Sequence, residues 1–109
     1  MKWHITYYNQ KVFKDILAMP IKVRARLVRL LDRMEEIGPD LGMPHTRAMG
    51  KGLFEVRAKA KEGIARVFYC TVIHNEITVL HGFIKKTQET PKKELDLARK
   101  RQNEVNKHD

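Results

Sequence analysis

Positively charged and titratable side chains lie on, or just after, three short strand-like runs that are rich in apolar residues. The runs cover residues 53–57, 66–70 and 77–81. Such runs between turn-forming residues are typical of β-strands, and neighbouring strands can direct several side chains to one point. The candidate catalytic residues on this part of the chain are Arg57, Arg66, His81, Lys85 and Lys86. Cations that converge in this way could stabilise the charge that develops on a phosphodiester during its cleavage.

Cleavage of RNA by its own 2′-hydroxyl would give these residues distinct roles. The reaction needs a base for the 2′ proton, cations for the crowded phosphorane, and an acid for the leaving 5′-oxygen. His81 is the best single acid or base near neutral pH, and Gly82 beside it could leave room for a backbone or a ligand to approach. The planar guanidinium groups of Arg57 and Arg66 suit phosphate binding. Glu55 could act as the base, or could orient one of these arginines.

The two arginines also have structural interpretations. Arg66 could form an ion pair with Glu55 or Glu76 that only stabilises the fold. Arg57 could be an ordinary solvated residue on the exposed face of a half-buried sheet. If the catalytic interpretation holds, we expect Arg66→Ala to abolish activity and to leave the fold intact.

The residues of the third run have structural interpretations as well. His81 is expected to share a strand face with Ile77, Val79 and Phe83, so it could be a core histidine whose ring nitrogens are satisfied. Lys85 and Lys86 could simply keep a loop soluble.

The composition favours a polyanionic partner. The chain has 109 residues, a formal net charge of +9 and a pI of about 9.9. An excess of positive charge on so small a protein indicates RNA, DNA or an acidic protein as the partner. Cys70 is the only cysteine, so no disulfide can form within the chain, and a reducing cytoplasm is the expected location. No apolar run approaches the ~20 residues needed to cross a bilayer, and no spacing of residues predicts a metal or another cofactor.

Further residues are candidates for contacts with RNA. The second predicted helix carries a basic face that could lie on ribosomal RNA phosphates, and its alternative role is that of a solvated surface. Two lysines and one glutamate on or beside the first run complete the set. The RNA-binding candidates are Lys22, Arg26, Arg29, Lys51, Glu55 and Lys59.

The order of predicted elements indicates one α+β domain over residues 1–109. Alternation over residues 3–8 predicts a first strand. Helical spacing of apolar residues predicts helices at about 10–19 and 21–37, and a last helix from Pro91. Residues 38–52 contain four glycines and two prolines, which predicts a loop. The expected fold is a small, mainly antiparallel sheet packed against two N-terminal helices and a C-terminal helix, in the order β-α-α-β-β-β-α.

Three blocks of this sequence resemble the conserved blocks of the RelE/ParE toxin superfamily, and most of all its HigB-type, phage-associated branch. The blocks are GLFEVR at 52–57, GIARVFY at 63–69 and LHGFIKKTQETP at 80–91. In the resemblance, Arg66 matches the arginine that follows the hairpin glycine of ribonuclease members. Arg57 falls near a position that carries lysine or arginine, and Lys85 and Lys86 match the basic pair after the last strand.

The resemblance implies a toxin of a type II toxin–antitoxin pair. Many members of the superfamily cut messenger RNA in the ribosomal A site without a metal ion. They are silenced by a co-encoded antitoxin, which in the HigB branch is usually a helix-turn-helix protein. Contact with DNA would then be indirect, through the antitoxin complex, and no contact with a membrane is expected.

Two alternatives remain open at this point, and one residue departs from the family pattern. The ParE branch shares the fold but poisons DNA gyrase, and a non-catalytic nucleic-acid-binding module is the third possibility. Some ribonuclease members carry a C-terminal tyrosine that stacks on the base, whereas the tyrosines here are Tyr7, Tyr8 and Tyr69. Either His81 takes over part of that role, or catalysis rests on cations alone.

Overall fold

The computed structural model describes residues 2–85 and 91–107, and it contains three helices and one five-stranded sheet. In chain order the elements are β1 (His4–Tyr7), α1 (Gln10–Leu17), α2 (Ile21–Ile37), β2 (Thr46–Gly50), β3 (Leu53–Ala60), β4 (Gly63–Val72), β5 (Glu76–Lys85) and α3 (Lys92–Lys107). The strand order in the sheet is β1-β5-β4-β3-β2. β1 and β5 are parallel, and every other neighbouring pair is antiparallel. The predicted α+β fold with a mainly antiparallel sheet is therefore confirmed.

The helices cover opposite faces of the sheet. α1 and α2 bury one apolar face of each helix against side chains such as Val56, Val67 and Val79, which form the larger core. α3 packs on the other face, where Leu53, Phe68 and Leu80 form a smaller core with it. Because α3 covers only part of its face, the remainder of that face is available for polar side chains.

Local signals explain where the first two helices begin. The side chain of Asn9 accepts a hydrogen bond from the amide of Val12 at 2.9 Å, which is the N-cap interaction that usually stabilises a helix by ~1 kcal/mol. α2 begins after Pro20, which has no side chain that can cap. The carboxylate of Glu62 replaces that cap, because it accepts from the amides of Lys22 and Val23 at 2.8 and 3.1 Å. This contact fixes the start of α2 against the β3–β4 turn.

The prediction that residues 38–52 are all loop was wrong, since β2 forms within them. Thr46, Arg47 and Ala48 pair with β3 in an antiparallel register. Gly50, Lys51 and Gly52 have φ values of 92°, 55° and 81°, so these glycines allow the tight turn between two strands rather than an irregular loop. β2 thereby places Arg47 directly opposite Glu55 on β3. Both residues lie on the part of the sheet face that α3 leaves uncovered, which we call the open face.

Smaller differences concern the helix ends. α1 ends at Leu17 rather than at Met19, and Met19 is buried in the larger core. α3 continues to Lys107, whereas the polar residues after Asn103 would favour fraying. The lone Cys70 is buried, as expected for a small apolar side chain in a strand. Along the described ranges 2–85 and 91–107, none of the helices combines the length and the apolar character that a membrane span needs.

Candidate active site

A β-bulge in β5 brings the candidate residues of three strands onto one face. Across β4 and β5, Tyr69 pairs with Val79 but Phe68 pairs with His81, so Leu80 is an extra residue in β5. An extra residue reverses the alternation beyond it. His81 therefore lies on the α3 side of the sheet. The prediction that it shares a face with Ile77 and Val79 was wrong, whereas its predicted place on the same face as Phe83 is confirmed.

The register then sets two rows of neighbours across the open part of this face. In one row, Arg57 on β3 is opposite Arg66 on β4, which is opposite Phe83 on β5. In the adjacent row, Glu55 is opposite Phe68, which is opposite His81. Side chains directly opposite on one face lie about 5 Å apart at Cβ. The structure thus brings Arg57 and Arg66 together with the end of β5 that carries His81 and Lys85.

At the centre of this face is a buried ion pair with two atoms left unused. The Nη1 atom of Arg66 donates to Oε1 of Glu55 at 2.6 Å, and their side chains are only 7% and 2% exposed. Within the part of the chain that the structure describes, Nε of Arg66 and Oε2 of Glu55 are buried and have no hydrogen-bond partner. Such groups are rare in folded proteins, since an unpaired buried polar atom carries a desolvation penalty. The pair therefore holds one buried donor and one buried acceptor that no described residue satisfies.

A small pocket opens beside this ion pair. It has a volume of about 40 Å³, and its charged lining residues are Arg47, Glu55, Arg57 and Arg66. Arg47 approaches the same carboxylate oxygen, Oε1 of Glu55, at 3.7 Å, and half of its side chain is exposed. Sequence reasoning missed Arg47, because the strand that carries it was taken for a loop.

His81 is fixed from two directions. Its Nε2 atom lies 2.9 Å from Oε2 of Glu94 in the first turn of α3, and its ring stacks on Phe83 with a centroid distance of 5.7 Å. The side chain is 13% exposed, so it is neither a core residue among aliphatic side chains nor a freely solvated one. A carboxylate on one ring nitrogen fixes the orientation of an imidazole and leaves the other nitrogen for a second contact. The contact with Glu94 joins residues 13 positions apart, and no local pattern could have predicted it.

Gly82 and Lys86 follow His81 in the sequence, and the structure does not support the role expected for Gly82. A Cβ on Gly82 would meet Val67, Ile16 and Met19 at 3.3–3.4 Å, so the missing side chain makes room for α1 on the other face and not for a ligand. Lys86, the second member of the predicted basic pair, lies outside the described residues.

Lys85 is buried next to other cations. It is 6% exposed. Burial lowers the pKa of its ammonium group, and the charge of Arg66 lowers it further. Glu55 acts in the opposite direction, and Arg57 and Arg47 add smaller decreases. The lowered pKa of Lys85 is thus due first to burial and second to the neighbouring positive charges.

Replacing Lys85 by methionine is expected to change the pH dependence of stability in the alkaline range. The folded chain releases the Lys85 proton at a lower pH than the unfolded chain, whose value is near 10.5. Between these two pKa values the unfolded state binds more protons, so the free energy of unfolding of the wild type gains from rising pH. In urea unfolding at increasing pH, the free energy of unfolding of the wild type should rise relative to that of Lys85→Met. A stability difference that stays constant up to pH 10.5 would contradict this.

The predicted RNA-binding residues divide into two groups. Arg26 on α2 and Lys59 on β3 line a pocket of about 310 Å³ together with Arg57, and Glu55 lies at the central ion pair. Lys51 is at the other end of β3, in the β2–β3 turn, where its carbonyl accepts from Gln102 of α3. The exposed residues Lys22 and Arg29 line neither pocket at this site. The structure thus brings Arg26 and Lys59, but not Lys51, to the candidate active site.

Comparisons with known proteins agree with this architecture. Residues 14–103 match the model of the family described as phage derived protein Gp49-like (DUF891). A search of curated proteins gives no match. Among solved structures, the chain is similar to the crystal structure of an archaeal RelE–RelB complex from Pyrococcus horikoshii OT3, with 18% sequence identity and a TM-score of 0.51. That alignment covers 79% of this chain and 98% of the archaeal chain.

The solved structure confirms the predicted RelE-like fold. The family match covers the second half of α1, all of α2, strands β2 to β5 and most of α3, so it includes every element that forms the candidate site. The chain belongs to the phage-derived Gp49-like family and has the fold of RelE.

Proposed function

We propose that this protein is the toxin of a type II toxin–antitoxin pair and that it cuts messenger RNA on the ribosome. The reaction uses the 2′-hydroxyl of the RNA as nucleophile and needs no metal ion. The observation that carries this proposal is the buried Glu55–Arg66 pair, with one free donor and one free acceptor among the described contacts, surrounded by further cations. A fold made stable only by an ion pair would be expected to satisfy both groups.

The pair supplies two of the three functions that the reaction requires, once RNA binding exposes these two atoms, which are buried in the unbound chain. Oε2 of Glu55 accepts the 2′ proton, after which the 2′-oxygen forms a bond to phosphorus. Nε of Arg66 donates to a non-bridging phosphate oxygen, where negative charge increases as the phosphorane forms. Arg57 and the charge at Lys85 stabilise the same group. The bond from phosphorus to the 5′-oxygen then breaks, which leaves a 2′,3′-cyclic phosphate on one fragment.

His81 supplies the third function. The leaving 5′-oxygen needs a proton, and an imidazole is suited to provide it near neutral pH. Because Glu94 holds Nε2 of His81 at 2.9 Å, Nδ1 is the nitrogen that remains for the leaving oxygen. The products are a 5′-hydroxyl end and a cyclic phosphate end. Each proton that the base removes is balanced by one that the acid delivers.

The archaeal complex and the net charge of this chain support two proposed partners, an antitoxin and the ribosome. The solved archaeal structure is a complex of RelE with RelB, which supports a co-encoded antitoxin for this chain as well. We propose a helix-turn-helix antitoxin, through which the complex would reach DNA. The net charge of +9 and the exposed basic face of α2 suit ribosomal RNA, so the toxin would act in the cytoplasm. Contacts of this kind weaken steeply with salt.

Induction of the protein in cells, followed by mapping of transcript 5′ ends, tests this function. We expect new ends within translated messages, in register with the reading frame, and none in untranslated transcripts. Intact messages together with a DNA damage response would instead support gyrase poisoning. Intact messages, no damage response and no effect on growth would indicate a non-catalytic binding module.

A further inference from the structure

A second basic pocket adjoins the pocket at the ion pair. It has a volume of about 310 Å³ and is lined by Arg26, Pro44, His45, Arg57 and Lys59. Arg57, His45 and Pro44 line both pockets, so the two are continuous along one edge of the open face. None of the described residues that line the second pocket is acidic, although acidic side chains make up 13 of the 109 residues of the chain.

The cations of this second pocket form no ion pair with any residue that the structure describes. Among residues 2–85 and 91–107, the side chains of Arg26, Arg57 and Lys59 make no ion pair and no hydrogen bond. Like charges held close together repel each other and weaken the folded state. An anion bound between these side chains would relieve that repulsion.

The position of Arg26 is fixed by the fold. α2 buries Val23, Leu27 and Leu30 against the sheet, which directs Arg26 to the side of the helix that borders β3. The contact of Glu62 with the amides of Lys22 and Val23 fixes the first turn of α2 to the β3–β4 turn. Arg26 lies about one turn further along the helix, so it is held beside Lys59 by packing rather than by a flexible loop.

We propose that this second basic pocket binds an RNA phosphate that neighbours the scissile one. The inference rests on the proposed function, which places the scissile phosphate at Arg66. Because Arg57 lines both pockets, an RNA strand at Arg66 continues past Arg57 and lays its next phosphate between Arg26 and Lys59. The subsite binds the sugar–phosphate backbone and therefore adds affinity and alignment without reading the base.

Binding of a short single-stranded RNA in which every 2′-hydroxyl is methylated tests the subsite. This RNA cannot be cleaved by the proposed reaction, so affinity is measured independently of catalysis. Fluorescence anisotropy over a series of salt concentrations gives the slope of log K against log salt, which is about −0.7 for each phosphate contact to a single strand. Arg26→Gln and Lys59→Gln should each make the slope shallower by up to about 0.7.

Arg33→Gln is the matched control. It removes the same charge from the same helix, but Arg33 lies two turns beyond Arg26 and lines neither pocket. Its slope should stay close to that of the wild type. Equal slopes for Arg26→Gln and Arg33→Gln would overturn the subsite, as would a wild-type protein that fails to bind this RNA at low salt. A slope that changes as expected, in a protein that leaves transcripts intact, would keep the phosphate site and reject the ribonuclease.

Discussion

Replacing Arg66 by lysine is expected to lower the rate of messenger RNA cleavage by about 10²-fold or more, while the chain stays folded. Loss of one well-placed donor to a developing oxyanion typically has an effect of this size. Lysine retains a positive charge beside Glu55 but has neither Nε nor the planar fork that can hold two oxygens. Single-turnover cleavage of a message on programmed ribosomes gives the rate, and circular dichroism with urea unfolding monitors the fold.

Arg99→Lys is the control for this substitution. Arg99, in the middle of α3, donates to the carbonyls of Gly50 and Met49 at 2.8 and 2.7 Å and contacts the β2–β3 end of the sheet rather than the ion pair. The same chemical change there should leave the cleavage rate within a few-fold of the wild type. If Arg66→Lys also retained nearly full activity, Arg66 would not contact the phosphate through Nε, and the proposed role of the ion pair would be lost.

Arg66→Ala is expected to destabilise the fold by about 3–5 kcal/mol, because it leaves the carboxylate of Glu55 buried without its partner. Glu55 is 2% exposed, and its remaining cationic neighbour, Arg47, lies at 3.7 Å with a half-exposed side chain. The sequence-based expectation that alanine at this position leaves the fold intact therefore does not suit the observed geometry. The free energy of unfolding of the single variant in urea measures the effect.

The double variant Glu55→Leu, Arg66→Met provides the other half of this prediction. Replacing a buried ion pair by apolar side chains of similar volume is often neutral or stabilising by 1–4 kcal/mol. We expect the double variant to be at least as stable as the wild type and to lack cleavage activity. A single Arg66→Ala variant that loses less than about 1 kcal/mol would show that Glu55 is not an uncompensated buried charge.

Periodicity explains why most of the fold could be predicted from the sequence. The apolar positions of α2 repeat at helical spacing, and Gly38 with φ of 112° ends it where the predicted helix ends. Period-two alternation marks β1, and short turns separate β3, β4 and β5. β2 was missed because its flanking glycines are turn residues with φ above 0° and equally typical of a loop. The pairing of β2 with β3 is a tertiary contact that no local signal specifies.

The arrangement of the site depended on features that the pattern of one strand does not settle. In the run from Ile77 to His81 the alternation breaks at Leu80, which is the extra residue that moves His81 to the other face. Two successive apolar residues are equally typical of a strand that is buried on both faces, so the break does not identify a bulge without the partner strand. His81 and Glu94, which are in contact, likewise lie on separate elements. The same is true of Arg26 and Lys59, which line one pocket. Sequence reasoning identified the chemically capable residues, and the fold determined which of them meet.

The two unpaired atoms of the Glu55–Arg66 pair weaken the folded state and are the atoms to which we assign the chemistry. A polar atom that is buried and unpaired raises the free energy of the folded state, and functional sites are where proteins tolerate such a penalty. Among the described residues, the two unpartnered buried side-chain atoms, Nε of Arg66 and Oε2 of Glu55, belong to the same ion pair. Both atoms lie where the cations of the open face converge. For this reason we place the scissile phosphate at this ion pair.

The chemical nature of the cleaved RNA ends tests the central claim most directly. Purified protein is added to ribosomes that carry a defined message, and the ends of both fragments are identified by mass spectrometry. We expect a 2′,3′-cyclic phosphate on the upstream fragment and a 5′-hydroxyl on the downstream fragment, with neither product formed when the 2′-hydroxyl at the cut site is methylated. A 5′-phosphate end, or cleavage that persists after this methylation, would contradict attack by the 2′-hydroxyl at Glu55 and Arg66.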